Sequence, residues 1–256
     1  MVKHVVRLAL ACEYSRTPIR RADISAKCLG PQSGRNFKPI FEEAQLTLRR
    51  VFGMELAELP LREKNSVQQR RAAAQKAGSQ AAGKGGAAGS GVWMLRSVLP
   101  QRFHTTEILP PPKCPTGDAE AAYVGLYSLV VAVVSLSGGA VQEGKLERHL
   151  KRLNAEQSTP VGKTQEVLGR MCKEGYLHKV KEGSGADELV EYHVGPRGKV
   201  EVGMEGVAGL VRKVYGEGGE GIGEDELARR IERSLNVWTG SVRPAGGDDG
   251  EGGSGR

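Results

Sequence analysis

Apolar residues at Val5, Val6, Leu8, Ala9 and Cys12 recur with the spacing of helical turns, which predicts an amphipathic helix over 2–14. Pro18 ends it, and "TPIRRADISAKCLG" reads as a short extended piece followed by a helix that stops at Gly30. In "NFKPIFEEAQLTLRRVFG", the residues Phe37, Ile40, Phe41, Ala44, Leu48, Val51 and Phe52 fall on one side of a third helix closed by Gly53. "MELAELP" then alternates Met54, Leu56 and Leu59 with polar residues, as a half-buried strand does, and residues 92–99 (VWMLRSVL) read as a second strand.

The order repeats further on. Residues 119–136 are nearly all apolar and predict a core helix, followed by a Gly138-Gly139 turn and a short extended step. "QEGKLERHLKRL" places Leu146, Leu150 and Leu153 at helical spacing. Thr159-Pro160 reads as the cap and first position of a third helix carrying Val161, Val167, Leu168 and Met171. Two strands, "YLHKVK" and "ELVEYHV", follow around a flexible tip, "EGSGAD". Helix, short strand, helix, helix, strand, wing, strand is the winged-helix order, and both blocks have it. The fold class is therefore mostly α with small β wings, as tandem winged helices. The first spans residues 1–108, with a basic, Ala/Gly/Ser-rich wing insertion at 61–91 expected to be disordered. A Pro-rich linker covers 109–117 and the second winged helix 118–216. Residues 217–256 hold a helix from Glu224 to Asn236 and a Gly/Asp/Glu tail expected to be disordered.

Composition narrows the chemistry. The net charge is +7, which favours an acidic partner, most often nucleic acid. Cys12, Cys28, Cys114 and Cys172 lie far apart without zinc spacing, and with no leader in front of them they read as reduced thiols of a cytosolic or nuclear protein. The apolar run Val124–Leu136 is too short for a bilayer, so no membrane association is expected. The histidines (His4, His104, His149, His178, His193) have no metal-ligand spacing, and no nucleophile signature appears. An enzyme, a cofactor, a metal and a small-molecule substrate are all unexpected. Gly162-Lys163-Thr164 ends like a phosphate-binding loop, but Gln157 stands where the first glycine belongs and Pro160 removes an N–H donor. ATP is therefore not its ligand. A helix start carrying Lys163 suits a phosphate of DNA or simply water.

"VVRLALACEYSRTPIRRADI" with "FKPIFEEAQLTLRRVFGMELAELP" resembles the first half of the MAGE homology domain, and "LSGGAVQEGKLERHLKRL", "MCKEGYLHKV" and "VEYHVGPRGKVE" resemble its second half. The Arg16-to-Ile19 step, the run from Phe52 to Leu56 and Gly195-Pro196-Arg197 carry the likeness. Within the family the chain is most similar to the fungal type of the branch that supplies a non-SMC subunit to the SMC five–six complex. The resemblance implies a non-catalytic nuclear, chromosome-associated protein in DNA repair and recombination. It implies that the first domain binds, and stimulates, a RING-type ubiquitin ligase subunit. It also implies a groove between or beside the domains for the kleisin subunit, and double-stranded DNA on the second domain. Val194 stands where many members have Trp, and Ala9-Leu10 where many have a Leu-Leu pair lining the partner groove. Leu8 and Leu10 are the partner-binding candidates.

Charge supports the DNA expectation. From Lys145 to Lys181 nine basic residues face four acidic ones, and Arg148, Lys151 and Arg152 share one helical edge. With the second and third helices and the wing root on one side, Lys145, Arg148, Lys151, Arg152, Lys163, Lys173, Lys179 and Lys181 form the candidate DNA stripe. Gln165 and Arg170 among small residues offer little for base edges, so contact is expected to be to the backbone. Arg197 is expected to bind a carboxylate or carbonyl inside the protein. The alternative is a free-standing winged-helix transcription regulator, which needs a base-reading third helix. A ligase acting by itself needs zinc ligands that the sequence lacks.

Overall fold

The computed structural model describes residues 1–30, 33–61, 90–104, 108, 114–182, 189–216 and 223–239. Most of the expected wing insertion, all but Glu182 of the tip "EGSGAD", most of the Pro-rich linker and the tail lie outside the described residues.

In the first half, helix α1 (Val2–Tyr14) leads to strand β1 (Ile19–Arg20) and helix α2 (Arg21–Ile24), which runs on as a π turn to Leu29. Helix α3 (Ser33–Thr47), strand β2 (Met54–Glu58) and strand β3 (Val92–Ser97) complete the unit. The antiparallel sheet has the order β1-β3-β2, with Leu56 opposite Leu95. Val5, Val6, Ala9, Ile24, Ala44, Leu48, Leu56 and Leu95 form its core, so the predicted faces of α1 and α3 are the buried ones. Gln45 covers the open edge of β2: its side-chain carbonyl accepts from Leu56 N–H at 2.8 Å and its amide donates to Leu56 O at 2.9 Å.

Two predicted members of that face are not in it. Val51 is 68% exposed and Phe52 39%. The helix changes to a π turn over Leu48–Phe52, whose wider winding rotates the last residues off the apolar stripe.

The second half opens on helix α4 (Gly117–Leu136), capped by the Thr116 hydroxyl, which accepts from Ala119 N–H at 3.1 Å. Strand β4 (Ala140–Gln142) and helix α5 (Glu143–Arg152) follow. A two-residue-per-arm hairpin, β5 (Ser158–Thr159) and β6 (Gly162–Lys163), leads into helix α6 (Thr164–Glu174). The sheet has the order β4-β8-β7, from β7 (Leu177–Glu182) and β8 (Leu189–Val194). Helices α7 (Pro196–Glu201), α8 (Gly203–Gly216) and α9 (Glu224–Thr239) close the chain. By length and hydropathy α4 resembles a membrane span. Its Tyr123, Tyr127, Val130, Val131 and Val134 instead pack at the centre of the second core, with Leu146, Leu150, Leu168, Met171, Leu177 and Tyr192. Ile231 and Leu235 of α9 are buried in the same core.

Two local expectations change. The third helix begins at Thr164, not at Pro160, because the Thr159 hydroxyl donates to Gly162 O at 2.8 Å and closes a turn instead of capping a helix. The Thr164 side chain, buried, donates to Ala155 O at 2.8 Å and fixes the helix start. The run Gly195-Pro196-Arg197-Gly198, which its composition suggests is a turn ahead of a helix from Lys199, is helical from Pro196 on, where the missing N–H costs nothing.

Candidate functional site

The two winged helices meet across a seam of buried ionic groups on an aromatic floor. Arg16 follows α1 in a left-handed backbone conformation (φ 53°) and is 5% exposed. Its guanidinium binds Glu120 of α4 and lies 3.6 Å from Glu174 of α6, over the rings of Tyr123 and Tyr127 at 5.1 and 5.6 Å. In the reverse direction Arg197 of α7, 3% exposed, donates to Glu13 of α1 and to Glu201, both at 2.7 Å. Tyr127 and Tyr176 stack at 4.0 Å, and their hydroxyls both donate to Glu201, at 2.7 and 2.9 Å. Tyr123 donates to Glu174 at 2.8 Å.

Each group's ionisation follows from this packing. Burial, and then the neighbouring carboxylates Glu174 and Glu201, push the phenols of Tyr123, Tyr127 and Tyr176 far up, so they remain neutral donors. Burial works against the charge of Arg197, but Glu201, Tyr176 and Glu13 outweigh it and raise its pKa. Burial lifts Glu13 to about 7, against the pull of Arg197.

Above the seam lies a cleft of about 390 Å³. Pro18, Leu59, Val92 and Met94 line it from the first half, and Leu177 and Pro196 from the second. Arg197 lines it as well, and among the described residues its Nη1 has no hydrogen-bond partner.

On the outside of the second half, Leu146 and Leu150 turn α5 inward, which leaves Arg148, Lys151 and Arg152 opposite them and exposed. Lys145 is also exposed on this helix. Lys163, at the end of β6 beside the start of α6, is 81% exposed with only a loose 4.0 Å approach to Glu166. Lys151 approaches Glu156 at 3.9 Å, equally loosely.

A sequence model of the MAGE homology domain matches residues 5–205. The chain belongs to the MAGE homology domain family. A chain of a solved structure titled "Nse1-Nse3-Nse4 complex" has the same fold, with a TM-score of 0.64 and 18% identity over 91% of this chain and 95% of that one. No curated protein matches the sequence significantly.

In this MAGE domain the partner candidates Leu8 and Leu10 are half-buried against the first core. Of the DNA candidates, Lys173 and Lys181 are exposed. Lys179 is engaged: its ammonium donates to Glu143 at 2.7 Å and lies 5.2 Å from the centre of the Tyr192 ring. Arg197 binds carboxylates internally, as its place after Gly-Pro suggests. Sequence periodicity gave no sign of the seam. The nearest signal was the matched pair of arginines, Arg16 and Arg197, each beside a proline-containing turn. Among the described residues no group of three or more His, Cys, Asp or Glu is placed to hold a metal.

Proposed function

We propose that this MAGE chain is a non-catalytic, nuclear subunit of an SMC five–six type complex, acting in chromosome maintenance and DNA repair. Its first winged helix docks a RING-type ubiquitin ligase subunit through the α1 face around Leu8 and Leu10 and stimulates that ligase. Its interdomain cleft takes a segment of the kleisin subunit. Its second winged helix touches duplex DNA. Family membership and the fold shared with a chain of the Nse1-Nse3-Nse4 complex support the assembly reading.

The observation that carries the DNA reading is the position of Arg148, Lys151 and Arg152 opposite the buried face of α5, near in sequence to the exposed Lys163. Gln165, Glu166 and Gly169 make up much of the exposed face of α6, which suits backbone contact better than base readout. If about five phosphates are neutralised, affinity falls as roughly the 4.5 power of salt concentration. The triple variant Lys151→Glu, Arg152→Glu, Lys163→Glu is expected to abolish duplex binding in a mobility-shift titration. It keeps its melting midpoint and still pulls down the RING and kleisin subunits. Unchanged duplex affinity, or a flat response to salt, sinks the assignment.

A further inference from the structure

The π turn that closes α3 leaves an apolar surface at one end of the first sheet. Val51 and Phe52 point outward from it. Val98, 44% exposed, is held next to them because its N–H donates to Gly53 O at 2.9 Å. Leu99 lies against Gly53 itself, where a Cβ would come within 2.5 Å of the leucine side chain. Phe103 sits in the single turn that follows, anchored by the His104 ring at 2.9 Å from Leu99 O, and is 37% exposed. Apolar groups gathered in this way at a surface mark a contact site more often than scattered ones do, and π turns concentrate at functional positions.

The rim is cationic. Arg49 and Arg50 directly precede Val51 in the chain, Arg96 stands two residues before Val98, and Arg102 directly precedes Phe103. Glu55 neutralises one charge, accepting from Arg49 at 2.8 Å and from Arg96 at 2.6 Å. Arg50 and Arg102 are exposed, and the Arg102 guanidinium lies over the Phe103 ring at 4.8 Å. Three net positive charges around an aliphatic and aromatic centre select an occupant with the opposite charge and its own apolar face. A nucleic-acid backbone offers charge but nothing to cover Val51 and Val98. A second copy brings the same positive rim. The chain's own residues 240–256 carry Asp248, Asp249 and Glu251 but only one large apolar residue, Val242.

We propose that this surface docks an acidic amphipathic helix of a partner protein. The apolar stripe of that helix covers Val51, Phe52, Val98 and Phe103, and its flanking carboxylates meet Arg50 and Arg102. The site is separate from the basic face of α5, so it stands or falls independently of the DNA reading.

The probe is a fluorescein-labelled helical peptide of about five turns, with Leu at i, i+3, i+4 and i+7 and Glu beside the stripe. It is titrated with the full chain by fluorescence anisotropy. A version with Lys for Glu, a version with Ser for Leu, and a short DNA duplex are run in parallel. The acidic amphipathic peptide is expected to bind and the two altered peptides to fail. The double variants Val51→Ser with Phe52→Ser, and Arg50→Glu with Arg102→Glu, should each lose about tenfold or more in affinity. Both members of the second pair are exposed, and an unchanged melting midpoint of that variant separates lost docking from unfolding. Peptide binding indifferent to both double variants would falsify the proposal. Equal binding of the Lys-flanked peptide, duplex binding lost with the apolar pair, or self-association lost with Phe52→Ser would each overturn it as well.

Discussion

Glu13 faces Arg197 and the carboxylate of Glu201 across the seam, with Arg16 of its own half nearby, and burial dominates its titration. Its pKa of about 7 in the folded protein stands above the 4.5 of an ordinary glutamate. Between those values the folded state holds a proton that the unfolded state has lost. The stability this group contributes is therefore complete below pH 4.5 and is lost as pH rises through 7. Glu13→Gln removes the titration and keeps the shape. Wild type is thus expected to lose stability relative to Glu13→Gln between pH 5 and pH 8, read from urea midpoints at both. A gain over that interval would show that the Arg197 ion pair, not burial, governs the group. The mutual geometry is what the sequence hides: Glu13 and Arg197 are 184 positions apart, and only the fold brings them to 2.7 Å.

At the scale of elements, the apolar periodicities located the helices well because their cores are built on whole turns. The apolar residues buried in α1 (Val5, Val6, Ala9) and α6 (Val167, Leu168, Met171) all belong to the predicted stripes, while Leu8, Cys12 and Val161 are only half-buried. The failures have local causes. Counting at 3.6 residues per turn assigns Val51 and Phe52 to the core, and the π turn breaks that count. Residue preference alone favours a Thr-Pro cap, and a side-chain hydrogen bond across a four-residue hairpin displaces it. Gly195-Pro196-Arg197-Gly198 looks like a turn by composition but opens α7, and its glycines are explained only by the contacts around them. A Cβ on Gly195 would meet Gly175 O at 2.2 Å, and one on Gly198 would meet Tyr176 O at 2.6 Å. The glycines let α7 approach the backbone at 175–176, and this approach seats Arg197 in the seam. Gly195→Ala should therefore cost about 3 kcal/mol, since backbone cannot yield as a side chain can. Gly144→Ala, a helical position with open space, should instead be neutral or gain up to about 1 kcal/mol. Chemical denaturation of the two variants checks this pair, and similar values for both would refute the close-approach account.

For the whole molecule, the seam decides whether two winged helices behave as one body. Each half has its own hydrophobic core. Arg16 supplies the positive charge from the first half to Glu120 and Glu174 of the second. It occupies a left-handed conformation that a non-glycine residue adopts at a cost, and surrounding contacts hold it there. Composition and periodicity showed two domains of one type but nothing of their mutual fit, because Arg16 and Glu120 are 104 positions apart. Removing one partner of a buried ion pair leaves the other desolvated without compensation, at roughly 3–5 kcal/mol. In Arg16→Met that penalty falls on the contact between the halves, not on either core. Wild type is therefore expected to unfold in a single calorimetric transition. Arg16→Met should unfold in two, with the half containing α1–α3 melting first, because its core holds fewer buried residues. A variant that still melts in one step would mean that apolar contacts across the cleft couple the halves, and that the ionic seam sets only their alignment.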